Sequence, residues 1–330
     1  MLGTSHSGCQ TFRMGKPQSF QGVGWVGGEG ETGLRALEGI IIYRCTKEVS
    51  RMSVALAVLT SDPNLVRCEL HRLEGQVALQ GEEGRSNAVG IGAYAQDDVL
   101  LRRFPRDADL ILESLAPPHE TEALLFHGRR LPVGLSLEEN TQPFRSRRWL
   151  FAHQGRIEDF AGLRAGLLDE VPDFLKRQIR GETDSEVAFA LFLKRLWETG
   201  HGDDPRLPAE VAGRLLADTA MSLSRASARA GAARTSTVNL LATNGYVLVA
   251  TRLGGQPLYY TRLEGTDSCE VCGLTPGMPD THPGVMAHRR RRSVVVASHL
   301  KRPVGWVELA EGTTLTVEAD LQVRHLPATP

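Results

Sequence analysis

Three short segments of this chain contain residue types that can cleave an amide. Met52-Ser53 opens an apolar run, residues 151–155 read Phe-Ala-His-Gln-Gly, and residues 181–186 read Gly-Glu-Thr-Asp-Ser-Glu. Amide hydrolysis needs a nucleophile, a base that takes its proton, donors for the oxyanion, and groups that hold the rest of the substrate. Together the segments offer a hydroxyl, a side-chain amide beside a glycine, and carboxylates.

The order of these segments resembles a class II glutamine amidotransferase domain, whose members are amino-terminal nucleophile hydrolases. In that family the residue exposed by removal of the initiator Met attacks the amide, and its own α-amino group is the base. The resemblance implies that Ser53 is the nucleophile, where the family has Cys, once Met52 is removed. An α-amine has a pKa of about 7.7 to 8.0, which suits a base near neutral pH. The alternative is that Ser53 only begins a strand.

The resemblance also assigns the oxyanion donors. The family segment reads Phe-Ala-His-Asn-Gly, in which the Asn side chain and the N–H of the next Gly bind the oxyanion. Gln154 and Gly155 stand at those positions here. Gln keeps the donor but adds a methylene, which alters a distance that must be about 2.7 to 3.1 Å. The alternative for this pair is a turn at the end of a strand.

Two residues match the family's binders of the amino-acid end of glutamine. The Gly-x-Thr-Asp-Ser-Glu motif is intact, and its Asp184 matches the residue that binds the α-ammonium. Thr183 or Asp184 could also cap a helix, and both roles can hold at once. Arg129 matches the residue that binds the α-carboxylate, which a guanidinium grips with two parallel hydrogen bonds. Pro132 and Val133 follow where the family has hydroxyl residues, so we expect a supporting contact to be lost.

Two further segments resemble parts of the family site. Residues 140–144 read Asn-Thr-Gln-Pro-Phe, close to the family's Asn-Thr-His-Pro-Phe, and we interpret them as wall and support. Cys68 is a rival nucleophile, because Cys68-Glu69-Leu70 resembles the family's opening Met-Cys-x-Leu. No Met precedes Cys68, however, so this alternative requires cleavage after Arg67.

A loop near the C-terminus contains the residue types of a tetrahedral zinc site. Cys269-x-x-Cys272 is followed by His282 and His288. Only nine residues separate Cys272 from His282, which is shorter than the usual finger interval, and the segment is rich in Pro and Gly. The alternatives are a structural zinc and an unliganded surface loop. The predicted amidohydrolase chemistry uses no metal and no cofactor.

The elements that must position these residues are strands at both ends and helices in the middle. Apolar runs predict strands at 53–59, 89–95, 123–126 and 149–153. Recurrence at three and four residues predicts helices over about 157–167, 184–196 and 208–229. Further strands are predicted at 237–243, 246–252, 257–260, 293–298, 306–309 and 313–317, with Asn244-Gly245 as a two-residue hairpin turn.

This order predicts an α+β fold in which helices cover two stacked sheets. The resemblance covers about residues 52–325 and implies a four-layer αββα sandwich of the amino-terminal nucleophile hydrolase type. We predict one amidotransferase-like domain over 52–325 and a short tail over 326–330. Residues 1–51 are rich in Gly and Ser, which predicts a disordered extension or a start codon assigned too far upstream.

Composition limits the classes of partner. Lys plus Arg number 38 and Asp plus Glu 39, so no net field favours nucleic acid or an anionic membrane. The apolar runs are far shorter than the roughly 20 residues that span a bilayer. Five cysteines in 330 residues make no disulfide framework, which favours a reduced, cytoplasmic setting.

The resemblance implies hydrolysis of glutamine or another small γ-glutamyl amide. An ammonia acceptor would be a partner enzyme. The alternative is a catalytically silent relative that keeps a γ-glutamyl-binding pocket for regulation or partner binding.

Overall fold

The computed structural model describes residues 53–80, 86–96, 98–104, 110–131 and 138–328, and four short strands before them. The chain divides into two units, Met1–Ser50 and Arg51–Pro330. In the first unit, β1 (Gly3–Thr4) pairs with β2 (Gln10–Thr11), and β3 (Arg35–Leu37) pairs with β4 (Ile40–Ile42). The predicted extension or wrong start over 1–51 otherwise lies outside the described residues and stays a prediction.

The second unit contains two antiparallel sheets. The first has seven strands in the order β15-β13-β14-β5-β8-β6-β7. Their bounds are Ser53–Thr60 (β5), Ala88–Ala95 (β6), Asp98–Phe104 (β7), Ala123–Arg129 (β8), Tyr259–Leu263 (β13), Ser293–Ala297 (β14) and Val307–Glu308 (β15). The strand that begins at Ser53 therefore lies in the middle of this sheet, between β14 and β8.

The second sheet has six strands in the order β17-β16-β12-β11-β10-β9. Their bounds are Phe144–Ser146 (β9), Trp149–Arg156 (β10), Thr237–Thr243 (β11), Leu248–Arg252 (β12), Thr313–Val317 (β16) and Val323–Pro327 (β17). The last strand continues past 325, where the predicted domain ends.

Six α-helices and two short 3-10 helices complete this unit in the described residues. The α-helices are Val66–Arg72 (α1), Phe160–Asp169 (α2), Asp173–Lys176 (α3), Asp184–Glu198 (α4), Ala209–Arg229 (α5) and Pro283–Arg290 (α6), and the 3-10 turns are Pro63–Leu65 and Leu112–Leu115. None of these helices is both long and apolar enough to cross a membrane.

Alternation along the strands builds the layers, because successive side chains of a strand point to opposite faces. Ala55 and Ala57 of β5 meet Leu150 and Ala152 of β10 in a core between the sheets. The outer face of the six-stranded sheet packs on α4 and α5, and the outer face of the seven-stranded sheet packs on α1 and a 3-10 turn. The predicted four-layer αββα sandwich is confirmed.

The turn at Asn244-Gly245 differs from the prediction. The register pairs Thr243 with Leu248, so the loop has the four residues 244–247. The Asn244 carboxamide oxygen accepts the N–H groups of Tyr246 and Val247, each at 3.0 Å. This side-chain bonding stabilises a longer loop than the two-residue turn that the dipeptide predicts.

Candidate active site

Ser53 lies at the start of β5, where its hydroxyl meets the other sheet. The residue is 3% exposed, and the Gly155 N–H donates to Ser53 Oγ with an N···O distance of 3.2 Å. Gly155 has a φ of +138°, and a Cβ there would lie 2.1 Å from the Thr237 carbonyl oxygen. Glycine is therefore required for β10 to present this N–H to Ser53.

Arg129 ends β8 and is the Cα partner of Ser53 across the sheet. Its Nη1 donates to Ser185 Oγ at 3.1 Å and lies 3.5 Å from Asp184 Oδ1. Both sides of the pair are largely buried, with side-chain exposures of 12% for Arg129 and 7% for Asp184. The guanidinium is thus held at the start of α4, and the backbone of the same residue pairs with the predicted nucleophile.

Asp184 is the first residue of α4, and the predicted helix cap is confirmed at Thr183. Thr183 Oγ1 accepts the Glu186 N–H at 3.4 Å, which is an N-cap bond. Asp184 Oδ2 accepts the Ile157 N–H at 2.9 Å. Burial would raise the pKa of Asp184, but the charge of Arg129 and the hydrogen bonds from the Ile157 N–H and Ser185 oppose it, and the pKa lies below its usual value. The carboxylate therefore stays charged, as binding an ammonium requires.

His153 supports the same corner from β10. Its Nε2 lies 3.0 Å from the Thr237 carbonyl oxygen, and its Nδ1 lies 3.0 Å from Ser185 Oγ. Burial lowers the pKa of His153, which favours the neutral ring. The carbonyl then fixes the proton on Nε2 and leaves Nδ1 as an acceptor toward Ser185.

Gln154 has a different environment from the one that the family pattern predicts. It is fully buried, its Nε2 donates to Gln256 Oε1, and its Oε1 accepts from Asn239 Nδ2 at 2.6 Å. These bonds join Gln154 to Asn239 on β11 and to Gln256 after β12, and neither of them involves Ser53. Of the two predicted oxyanion donors, the structure brings the Gly155 N–H to Ser53 and engages the Gln154 carboxamide elsewhere.

A family model for class-II glutamine amidotransferases matches residues 108–327, which is two thirds of the chain. The chain belongs to the class-II glutamine amidotransferase family. One relative is the probable glutamine amidotransferase DUG3 of Saccharomyces cerevisiae, 37% identical over 95 residues. That alignment covers 29% of this chain and about a quarter (26%) of the yeast protein.

Solved structures show the same fold. A glutamine aminotransferase class-II domain protein from Silicibacter pomeroyi matches with a TM-score of 0.52 and 21% identity, over 84% of this chain and 100% of that chain. The allosteric regulatory enzyme of purine biosynthesis matches with a TM-score of 0.50 and 15% identity, over 84% of this chain and 49% of that one.

Residues 140–144 contact His153 and the motif loop of the candidate site. Gln142 Oε1 accepts the His153 N–H at 2.6 Å, and Asn140 Oδ1 accepts the Glu182 N–H at 3.0 Å. The Glu186 carboxylate accepts the N–H groups of Arg180 and Gly181, at 2.9 and 2.7 Å. The motif loop is therefore held by side-chain acceptors on both sides, in agreement with the interpretation as wall and support.

Other sequence predictions have mixed outcomes. Pro132 and Val133 lie outside the described residues, so the lost hydroxyl contact stays a prediction. Cys68 is 2% exposed and lies inside α1, not at the start of a strand as the rival nucleophile would. His282 does not join the predicted zinc ligands: its Nδ1 accepts the Gly284 N–H at 3.2 Å at the start of α6.

Sequence reasoning missed several supporting groups. Ser185 stands inside the recognised motif, and its place beside Asp184 was a usable signal. The Thr237 carbonyl and Gln256 carry no such signal, because a backbone oxygen and an isolated glutamine form no sequence motif.

A cavity of about 790 Å³ opens beside the motif loop. It is lined by Arg103, Glu138, Arg180 and Glu186 among others, but not by Ser53 or Arg129.

Proposed function

We propose that this glutamine amidotransferase hydrolyses glutamine or another γ-glutamyl amide, with Ser53 as its amino-terminal nucleophile after removal of Met52. The observation that supports it most is the 3.2 Å contact between the Gly155 N–H and Ser53 Oγ. It places a backbone donor of one sheet beside the hydroxyl at the start of a central strand of the other, close to where an oxyanion would form after attack.

In the proposed reaction, the free α-amine of Ser53 takes the proton of its own Oγ, which attacks the amide carbon. The Gly155 N–H then stabilises the oxyanion. The amine returns the proton to the leaving nitrogen, the C–N bond of the tetrahedral intermediate breaks, and ammonia or an amine departs, which leaves a γ-glutamyl ester on Ser53 Oγ. Water attacks the ester by the same route and releases glutamate, with Ser53 restored.

Arg129 and Asp184 would bind the amino-acid end of the substrate. They form an ion pair with each other, so their charges are already complementary to a zwitterion. The substrate carboxylate would contact the Arg129 guanidinium, and the substrate ammonium would contact the Asp184 carboxylate.

The free thiols at Cys68, Cys269 and Cys272 agree with a reduced, cytoplasmic setting. An ammonia acceptor would be a separate enzyme.

A catalytically silent relative is the second candidate, because the Gln154 carboxamide is bonded to Gln256 and Asn239. In that case the pocket binds γ-glutamyl compounds without turnover. Ser53 discriminates the two candidates, since only the enzyme needs its hydroxyl.

The test measures glutamate release from L-glutamine and a panel of γ-glutamyl amides. The protein begins at Met52, and intact mass shows whether Met52 is removed. Hydrolysis predicts release that is lost in Ser53→Ala and retained or raised in Ser53→Cys, while glutamate binding to Ser53→Ala persists in calorimetry. Equal release from wild type and Ser53→Ala would contradict the mechanism, and glutamate binding without any release would favour the silent relative.

A further inference from the structure

Three cysteines and a histidine from distant parts of the chain meet beside α1, away from the candidate active site. The Sγ atoms of Cys68, Cys269 and Cys272 and a ring nitrogen of His288 all lie within 4.8 Å of one another. Cys68 Sγ and Cys272 Sγ are 3.4 Å apart. In a tetrahedral site with Zn–S bonds of about 2.3 Å, neighbouring sulfur atoms are about 3.8 Å apart. The four atoms therefore already have nearly the spacing of one ligand shell.

The backbone around Cys269 and Cys272 forms a tight turn that directs both thiols to one side. Cys269 and Leu274 exchange two backbone hydrogen bonds of 2.9 Å, and the Gly273 N–H donates to the Glu270 carbonyl at 3.2 Å. Gly273 has a φ of +67°, which the turn needs and glycine adopts without strain. A Cys-x-x-Cys pair on such a turn is a usual half of a zinc site.

His288 is oriented as a metal ligand. It is 2% exposed, and its Nδ1 lies 2.8 Å from the Gly284 carbonyl oxygen, which fixes the proton on Nδ1. Its Nε2 is buried and makes no hydrogen bond in the described part of the chain. A buried acceptor without a partner costs free energy, and a metal ion would supply that partner.

A positive charge lies next to the group. Arg291 is 1% exposed, and its Nε is 2.6 Å from Glu69 Oε1. Arg291 lies close enough to Cys272 to act on it electrostatically. Three thiolates and a neutral imidazole around a divalent ion leave a net charge of about −1, and the neighbouring Arg291–Glu69 pair adds no further net negative charge.

The segment that holds these residues has little apolar core of its own. Between β13 and β14, its buried apolar residues are Cys269, Leu274 and Val285, which pack on Leu65 and Cys68. Five buried residues are a small cluster for anchoring a loop of this length. A metal that cross-links α1, the turn and α6 would supply the missing stability.

We propose that Cys68, Cys269, Cys272 and His288 bind one zinc ion in a closed, structural Cys₃His site. Zinc is favoured because thiolate and imidazole ligands in a tetrahedral arrangement suit it best. Each thiol releases its proton to solvent on binding. Because the protein supplies all four ligands, the zinc ion has no coordination position left for water. The ion connects α1, which follows the strand of Ser53, to the loop before β14.

The test is the zinc content of the full chain, purified under reducing conditions and without metal-chelating resin. We expect one zinc per chain by mass spectrometry, and loss of that zinc in Cys272→Ser. Cys272 is exposed, so this change leaves no cavity in the core. His282→Ala is the matched control, because His282 belongs to the same loop but not to the group, and it should retain one zinc.

Cobalt added to the metal-free chain provides the second readout. Tetrahedral thiolate coordination predicts visible absorption bands and a sulfur-to-metal charge-transfer band, both weaker in Cys68→Ser and Cys272→Ser and unchanged in His282→Ala. Reduced protein that contains no zinc and shows no such bands with cobalt would overturn the proposal. So would zinc that is lost in His282→Ala and kept in Cys272→Ser.

Discussion

The two halves of the candidate site differ in how closely they follow the family pattern. The half assigned to the amino-acid end keeps Arg129 and Asp184, and their contacts are buried and numerous. The half assigned to the reaction has Ser53 for Cys and Gln154 for Asn, and of the two predicted oxyanion donors, Gln154 and Gly155, the structure brings the Gly155 N–H to Ser53. The binding half depends on a folded network, whereas the reacting half depends on one backbone donor. Stability and rate should therefore respond to different substitutions.

Asp184→Ala should have the largest effect on stability. It removes the acceptor of the Ile157 N–H and the charge partner of Arg129. Loss of one member of a buried pair costs about 3–5 kcal/mol. Denaturation by urea measures it, and Asp173→Ala is the control, since that carboxylate is 82% exposed. We expect the control to change by less than about 1 kcal/mol. Equal losses of unfolding free energy in the two variants would mean that the Asp184 contacts stabilise the fold no more than an exposed carboxylate does.

Gly155→Ala should disrupt the reacting half most strongly. A Cβ would collide with the Thr237 carbonyl at 2.1 Å, and the φ of +138° is unfavourable for alanine. We expect a loss of about 3 kcal/mol in unfolding free energy, with loss of glutamate release. Gly162→Ala in α2 is the control, because nothing lies within 4 Å of its Cβ position. That change should stabilise the helix by about 0.5–1 kcal/mol.

Two buried histidines, His127 on β8 and His153 on β10, should make stability depend on pH. Burial lowers the pKa of His127 from 6.5 to about 3, and the charges of Arg129 and His153 add to the shift. The unfolded chain binds this proton below about pH 6.5, and the folded chain does not until about pH 3. Unfolding free energy should therefore fall as pH falls through this window, by about 1–2 kcal/mol at pH 5.

Substitution of each histidine sharpens the pH comparison. Neither ring nitrogen of His127 makes a hydrogen bond of normal geometry to the described residues, so His127→Leu should cost little at pH 7.5 and should reduce the slope with pH. His153→Leu should cost more, about 2 kcal/mol, because Thr237 and Ser185 lose a partner. An unchanged slope in His127→Leu would remove His127 as its source.

Gln154→Asn should have the smallest effect, and it acts on rate. The shorter carboxamide restores the family residue and gives up the bonds to Gln256 and Asn239. If the asparagine reaches the oxyanion, kcat for glutamate release should rise about tenfold, at a cost of about 1 kcal/mol in stability. A fall in kcat would instead assign the existing glutamine bonds a part in the reaction.

The strands with strong local patterns were predictable. The bounds of β11 and β16 equal the predicted 237–243 and 313–317, because both strands are almost fully buried and their apolar, β-branched residues suffice. The sequence did not predict the edge strand β7, because the adjacent Leu100 and Leu101 interrupt the alternation of apolar and polar residues. In the structure both are exposed, at 48% and 37%. The sequence did not predict the helix α6, because Pro, Gly and a basic run leave too few apolar residues in it to show a helical period.

The site was predictable where the chemistry lies in one contiguous motif. Asp184 and its cap come from six adjacent residues, so the sequence contains the whole signal. The bonds of Gln154 depend on Asn239 and Gln256, which approach only after the sheet forms. The same limit applies to Cys68, which meets Cys272 only through the packing of α1 on a loop about 200 residues later.

The central position of β5 also delays the completion of its sheet during synthesis of the chain. This strand pairs with β14, where Leu56 is the partner of Ala297, so its sheet is incomplete until the ribosome has made nearly the whole chain. At about 5 to 20 residues per second, that delay is roughly 10 to 50 seconds. β14 pairs with residues 56–60, whereas Ser53 is the partner of Arg129 and accepts the Gly155 N–H, so the contacts of the proposed nucleophile are synthesised well before the last partner of its strand. Translation speed therefore sets how long β5 waits for β14.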